Sequence, residues 1–221
     1  TSMAYLLSFM DLPSLAQDLE AYTQTGKLTL MGAVEAQPCL SSVTTDTGLL
    51  LAAKTKIPSY KCPSSLNTDV SAWGYGNSSY VGSWGNGKAF AKIIDVEDNG
   101  NGFFGPSARV TRMGEMADGL SYTIAVGENG VRGGLSGVNR TKTAFAPDAS
   151  YQPCWFGLRD TAGTSADLRG AVKYVRLNEM PNAGDNSMSS GHPSGVHVLA
   201  GDGAVHFVND SVHPLIWHSL G

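Results

Sequence analysis

The chain has 221 residues, 27 of them glycine, and only 15 % of it is charged, against typical usages of ~7 % glycine and ~25 % charge. Its 42 % apolar content is enough for a folded core and excludes intrinsic disorder, while the glycines lack the every-third-residue period of collagen. Fifteen basic against nineteen acidic residues give a net charge of −4 with no basic block, so the electrostatic footprint of a nucleic-acid binder is missing.

Apolar residues at Met3, Leu6, Leu7 and Met10, then at Leu12, Leu15, Leu19 and Tyr22, recur at three- and four-residue spacing and predict an amphipathic helix over residues 3 to 22. Asp11 and Pro13 stand where a cap and a first-turn residue would interrupt and restart it. Beyond Gly26 the pattern breaks into short apolar runs separated by Gly, Asn, Ser and Pro, with Thr47 to Lys54 as the one further helical stretch. Trp73 to Gly87 is dense in Gly, Trp and Tyr, which suits an irregular loop stitched by aromatic packing. Its rings, Trp73, Tyr75, Tyr80 and Trp84, would alternatively stack on a sugar. Tyr122 to Gly127 is β-branched between turn residues and predicts a buried strand.

Asp202-Gly203 between two alternating runs predicts a hairpin closed by a two-residue turn, because glycine and aspartate tolerate positive φ there. That turn pairs Ala200 with Val205, Val198 with Phe207 and Val196 with Asn209, giving one apolar face against the core. His197 and His206 then lie diagonally on the other face, with Leu199 and Val208.

Candidate chemistry is thin. The diagonal histidines could meet a zinc or copper ion, with His192 and Asp202 as the nearest further ligands, but no HExxH-type spacing supports them. Hydrogen-bonded strand histidines are the simpler reading. Asp95, Glu97 and Asn99 alternate before Gly100 like the first half of a calcium loop, yet the twelfth position is Pro106, so a calcium site would need other ligands. A solvated Asn-Gly turn explains the same residues without an ion. Gly100 to Gly105 matches G-x-G-x-x-G by letter only, since Pro106 forbids the helix that would receive a phosphate. No nucleophile elbow or Walker loop is present. Cys39, Cys62 and Cys154 have no zinc-finger spacing; three thiols allow one disulfide and one free cysteine in an oxidising compartment or three buried reduced thiols otherwise, and flanking prolines at Cys39 and Cys62 suggest loop positions for a disulfide between those two.

Four motifs and the opening helix nevertheless form an ordered set. His192, nine residues and then Asp202-Gly203 resemble the H-x9-DG segment of a large planctomycete family of unknown function that carries a prepilin-type cleavage and methylation segment. Cys62-Pro63-Ser64 resembles that family's Cys-Pro-Ser motif, and Tyr80-Val-Gly82 its Asn-Tyr-x-Gly loop. Asp118-Gly119 through Val-Gly-Glu128 resembles its Asp-Gly…Val-Gly-Glu strand, and Tyr5 to Asp11 the helix that follows its long prepilin helix. The resemblance implies a pilin-like precursor, cleaved and exported to the cell envelope, of which residues 1–25 form a helical stub and 26–221 a β-rich head. The Gly-Phe-Thr-Leu-x-Glu cleavage motif and the long hydrophobic helix do not occur in this sequence.

The implied fold is α+β, a pseudopilin-like antiparallel sheet with a short N-terminal helix, glycine-rich loops and a C-terminal hairpin. The implied function is non-enzymatic, a head that mediates assembly or surface contacts with other pilin-like subunits or envelope components. A glycan- or solute-binding head is the alternative. No cofactor is expected, calcium being the one ion the acidic loop suggests. Within the motifs His192, Asp202 and Gly203 have structural roles, at the entry and the turn of the ribbon. His197 and His206 stand where the family has other residues, which weakens the reading of them as metal ligands.

Overall fold

The computed structural model describes residues 6–24, 47–65, 68–70, 76–86, 102–104, 112–130, 155, 172–175, 180–183 and 187–221. The N-terminal helical segment is interrupted as its sequence predicts. A 3-10 turn, Leu7–Phe9, is followed by Asp11 at φ 56° and then by helix α1, Pro13–Gln24, with Pro13 in the first position. Leu7 and Leu19 are buried, whereas Phe9 is exposed. Helix α2, Thr47–Lys54, packs against α1 and buries Ala52 and Ala53. Its C-terminal end is fastened by the Trp155 indole, which donates to Thr55 O at 2.8 Å.

The following 3-10 turn, Pro58–Tyr60, places Tyr60 in the interior, and burial pushes its phenol up to about 12. An unfolded tyrosine ionises near pH 10. Because the folded value is the higher one, the associated stability is complete below about pH 10 and is lost as pH rises through about 12, at ~1.4 kcal/mol per pH unit. Urea midpoints should fall over this window, and Tyr60→Phe should remove the part of the fall due to this phenol. An unchanged slope in the variant would refute the assignment.

Five strands form one sheet in the order β3-β1-β2-β4-β5. They are β1 Tyr80–Gly85, β2 Ile124–Glu128, β3 Val172–Tyr174, β4 Gly195–Ala200 and β5 Val205–Asn209. Together with the helices they make a mixed α+β fold. Four strands are antiparallel, but β3 runs parallel to β1, so the sheet is not purely antiparallel. The expected irregular loop at 73–87 also contains strand β1, whose residues from Val81 onward are buried. A strand covered on both sides shows no polar alternation, which is why its composition resembles that of a loop.

The C-terminal hairpin is present with a different register. Val196 opposes Val208, His197 opposes Phe207 and Leu199 opposes Val205. Three residues, Gly201 to Gly203, close the turn between Ala200 and Ala204, with Gly203 at φ 91°. Relative to the expected two-residue turn this is a slip of one position, which moves every β5 side chain to the opposite face. Val208 therefore packs toward the core with Val196 and Val198, and Val205 and Phe207 lie exposed. His197 and His206 end on opposite faces and do not form a pair.

The core on one face of the sheet joins Ile124, Val196 and Val198 with Val175, Met188 and Trp217. Trp217 comes from a helix not expected from the sequence, α3, Pro214–Ser219. Pro214 opens α3 and the His213 imidazole accepts from Leu215 N–H at 3.3 Å. Six residues are too few for a periodic signal to emerge.

Candidate functional site: a thiol, a carboxylate and two imidazoles

Strand alternation sets the site. Gly127 opposes Val198 on the core side, and any β-carbon there would run into Met188. The next residue, Glu128, therefore points away from that core. Its carboxylate sits beside His197, whose backbone N–H donates to Oε2 at 2.7 Å and whose Nδ1 lies 3.3 Å from the same oxygen. Tyr80 is the cross-strand partner of Glu128 on β1.

Cys62 reaches the carboxylate from a β-turn, Cys62-Pro63-Ser64-Ser65, closed by Ser65 N–H to Cys62 O at 2.9 Å. Pro63 supplies the φ that the second turn position requires. His192 arrives from the loop before β4. That loop runs beside the end of β2 through Ser189 N–H to Glu128 O at 2.9 Å, and Ser190 Oγ accepts from His192 N–H at 3.1 Å. Gly191 lies so close to the Ser64 carbonyl that a side chain would clash, and this close approach seats the imidazole against the thiol.

His192 Nε2 is 3.1 Å from Glu128 Oε1 and 3.5 Å from Cys62 Sγ. The His192 and His197 rings meet edge to face at 4.7 Å, and Phe207 packs on His197 at 5.0 Å. The Glu128 side chain is 5 % exposed, against 23 % for His192 and 42 % for His197, so the carboxylate is the buried floor and the imidazoles reach solvent. The Tyr80 phenol is raised above its ordinary range by burial and then by the negative charge of Cys62 and Glu128.

This geometry limits the chemistry. A thiol nucleophile needs an imidazole with the thiol at one nitrogen and the orienting acid at the other. Here the same nitrogen faces both groups. The three donor atoms instead converge, all within 4.8 Å of one another, and this is the one such cluster among the described residues.

Four residues from separate motifs, Cys62, Tyr80, Glu128 and His192, are thus brought to one place. Gly82 lies on β1 under the Phe104 ring. Asp202 and Gly203 are at the far end of β4, where Asp202 accepts from Ala204 N–H at 2.9 Å. A hydrogen bond from Ser121 is the largest cause holding the Asp202 carboxyl below its ordinary range, and the turn is tied to the segment that follows Asp118 and Gly119 by Gly201 N–H, which donates to Thr123 O at 2.9 Å. The nine residues between His192 and Asp202 are the length of β4 with its flanks, and the two ends of the motif serve two different fastenings.

Cys62 is a free cysteine facing His192, and Cys39, its expected disulfide partner, lies outside the described residues. Trp84 is buried, so its ring offers no stacking surface. Trp73, Tyr75, Asp95, Glu97 and Asn99 also fall outside the described residues. His197 is a hydrogen-bonded strand histidine, as the simpler reading has it, and its partner is Glu128. Alternation along β4 could have placed it beside the end of β2, had the strand order been known.

A family model, SBP_bac_10, described as a protein of unknown function (DUF1559), matches residues 6–215. No curated protein and no solved structure matches the chain.

Proposed function

Because the chain belongs to the DUF1559 family of proteins of unknown function, we propose that it is a non-enzymatic, pilin- or pseudopilin-like protein of the cell envelope. Its head mediates assembly or surface contacts, and the precursor carries a prepilin-type segment that is cleaved on export. The ordered motifs, H-x9-DG among them, support this reading through their resemblance to prepilin-type proteins. The observation that carries the non-enzymatic part is what those motif residues do. Cys62, Glu128 and His192 fasten a turn, a strand end and a loop together, and Asp202 fastens the hairpin turn at Ala204 N–H. Among the described residues both printed partners of the His192 ring share Nε2, which is not the arrangement that makes a thiol a nucleophile.

The test is expression of the whole gene with and without a prepilin peptidase, followed by fractionation and mass spectrometry of the mature N-terminus. Peptidase-dependent shortening and recovery in the envelope are expected. An unprocessed protein recovered from the cytoplasm would overturn the reading. The head alone should sediment as a monomer.

A further inference from the structure

We infer that Cys62, Glu128 and His192 bind one zinc-class divalent cation, with a fourth position left for water. This stands independently of the envelope reading. Zinc bond lengths of about 2.3 Å to sulfur and about 2.0–2.2 Å to nitrogen and oxygen give tetrahedral edges of roughly 3.3–3.6 Å. The Sγ to Nε2 and Nε2 to Oε1 separations, 3.5 and 3.1 Å, are close to such edges. The shared nitrogen, which is unsuitable for a proton relay, is what common coordination requires.

The charge balance points the same way. Glu128 is buried and, among the described residues, its side-chain partners are two imidazoles and a backbone N–H, with no Lys or Arg. A buried carboxylate without a fixed positive partner is costly, and a divalent ion supplies that charge. His197 holds Oε2 and leaves Oε1 turned toward His192 Nε2, as outer-shell partners of metal ligands do. One thiolate and one imidazole are too soft a set for calcium or magnesium and suit zinc, with cobalt as its spectroscopic substitute. On binding, the Cys62 thiol gives its proton to solvent. The ion would bridge segments 64 and 130 residues apart in sequence.

Reduced, chelator-treated protein titrated with Co²⁺ tests this. One equivalent should produce a sulfur-to-cobalt charge-transfer band with the visible bands of a four-coordinate ion, and Zn²⁺ should abolish both. Cys62→Ser should lose the charge-transfer band, and the double variant Cys39→Ser, Cys154→Ser should keep it. Glu128→Gln should weaken affinity by at least the ~10–100-fold typical of outer-shell losses. Absence of the band in the wild type, or its persistence in Cys62→Ser, would overturn the inference. Should Cys62→Ser fail to fold, alkylation of Cys62 in the wild type decides: zinc should slow it, and equal rates with and without zinc overturn the site.

Discussion

Trp217→Ala should destabilise the protein by about 3–5 kcal/mol, the usual cost of deleting a fully buried aromatic side chain. Trp217 is 0 % exposed and packs in the core with Ile124, Val175, Met188, Val196 and Val198. The surroundings have little freedom to collapse into the cavity, because α3 is held to the sheet by its backbone. Ile124 N–H donates to Leu220 O at 2.8 Å, and the Asn86 amide donates to His218 O at 2.9 Å. Domains of this kind hold only about 5–15 kcal/mol in total, so the variant should melt far earlier than the parent. Ile216→Ala is the internal control. Ile216 is the neighbouring residue on the same helix but is 57 % exposed, and its loss should change stability by no more than ~0.5 kcal/mol. Urea denaturation of both proteins measures the contrast, and a cost below ~1 kcal/mol for Trp217→Ala would contradict the packing described.

Glu128→Ala should cost about 2–4 kcal/mol when measured with a chelator present, so that no ion contributes. The carboxylate accepts the His197 N–H at 2.7 Å and stands 3.1 Å from His192. Its removal leaves a partly buried donor unsatisfied and separates the strand end from the His192 loop. The upper end of the range for a broken buried pair, near 5 kcal/mol, is not expected, because His192 and His197 keep access to water. Glu128→Gln retains one carbonyl oxygen for the His197 N–H and should lose about half as much. Equal losses in the two variants would mean that the acceptor role is not what Glu128 contributes. Hydrogen exchange localises the effect: protection should fall at the 189–197 segment and at the Cys62 turn, while α3 should be unaffected.

The two variants probe parts of the molecule that differed in legibility. Helix α2 and the break at Asp11 could be read because they depend on neighbours three or four positions away and on the local properties of proline and aspartate. The hairpin could also be read, but not its register. Asp202-Gly203 fits a two-residue turn as well as the three-residue turn that forms, and one residue of difference reverses which of Phe207 and Val208 meets the core. Strand β1 was hidden because burial on both sides removes alternation, and α3 because it is shorter than the window in which a helical period can be seen. At the site, each motif residue is legible singly, but nothing in the local sequence joins Cys62, Glu128 and His192. Their meeting depends on contacts 64 and 130 residues apart.

The apolar content and the lack of a basic block by themselves determined a folded chain without a nucleic-acid footprint, and local spacing fixed its early helices, strand β2 and the existence of the hairpin. Those properties are local, carried by backbone preference and side-chain period. The tertiary structure alone decided which side of β2 is core and which is site. Gly127 yields its space to Met188 on one face, so Glu128 must project from the other, where the Cys62 turn and the His192 loop close over it. That choice depends on strand order and register, which are set by the burial of the whole sheet and by no single segment of the chain.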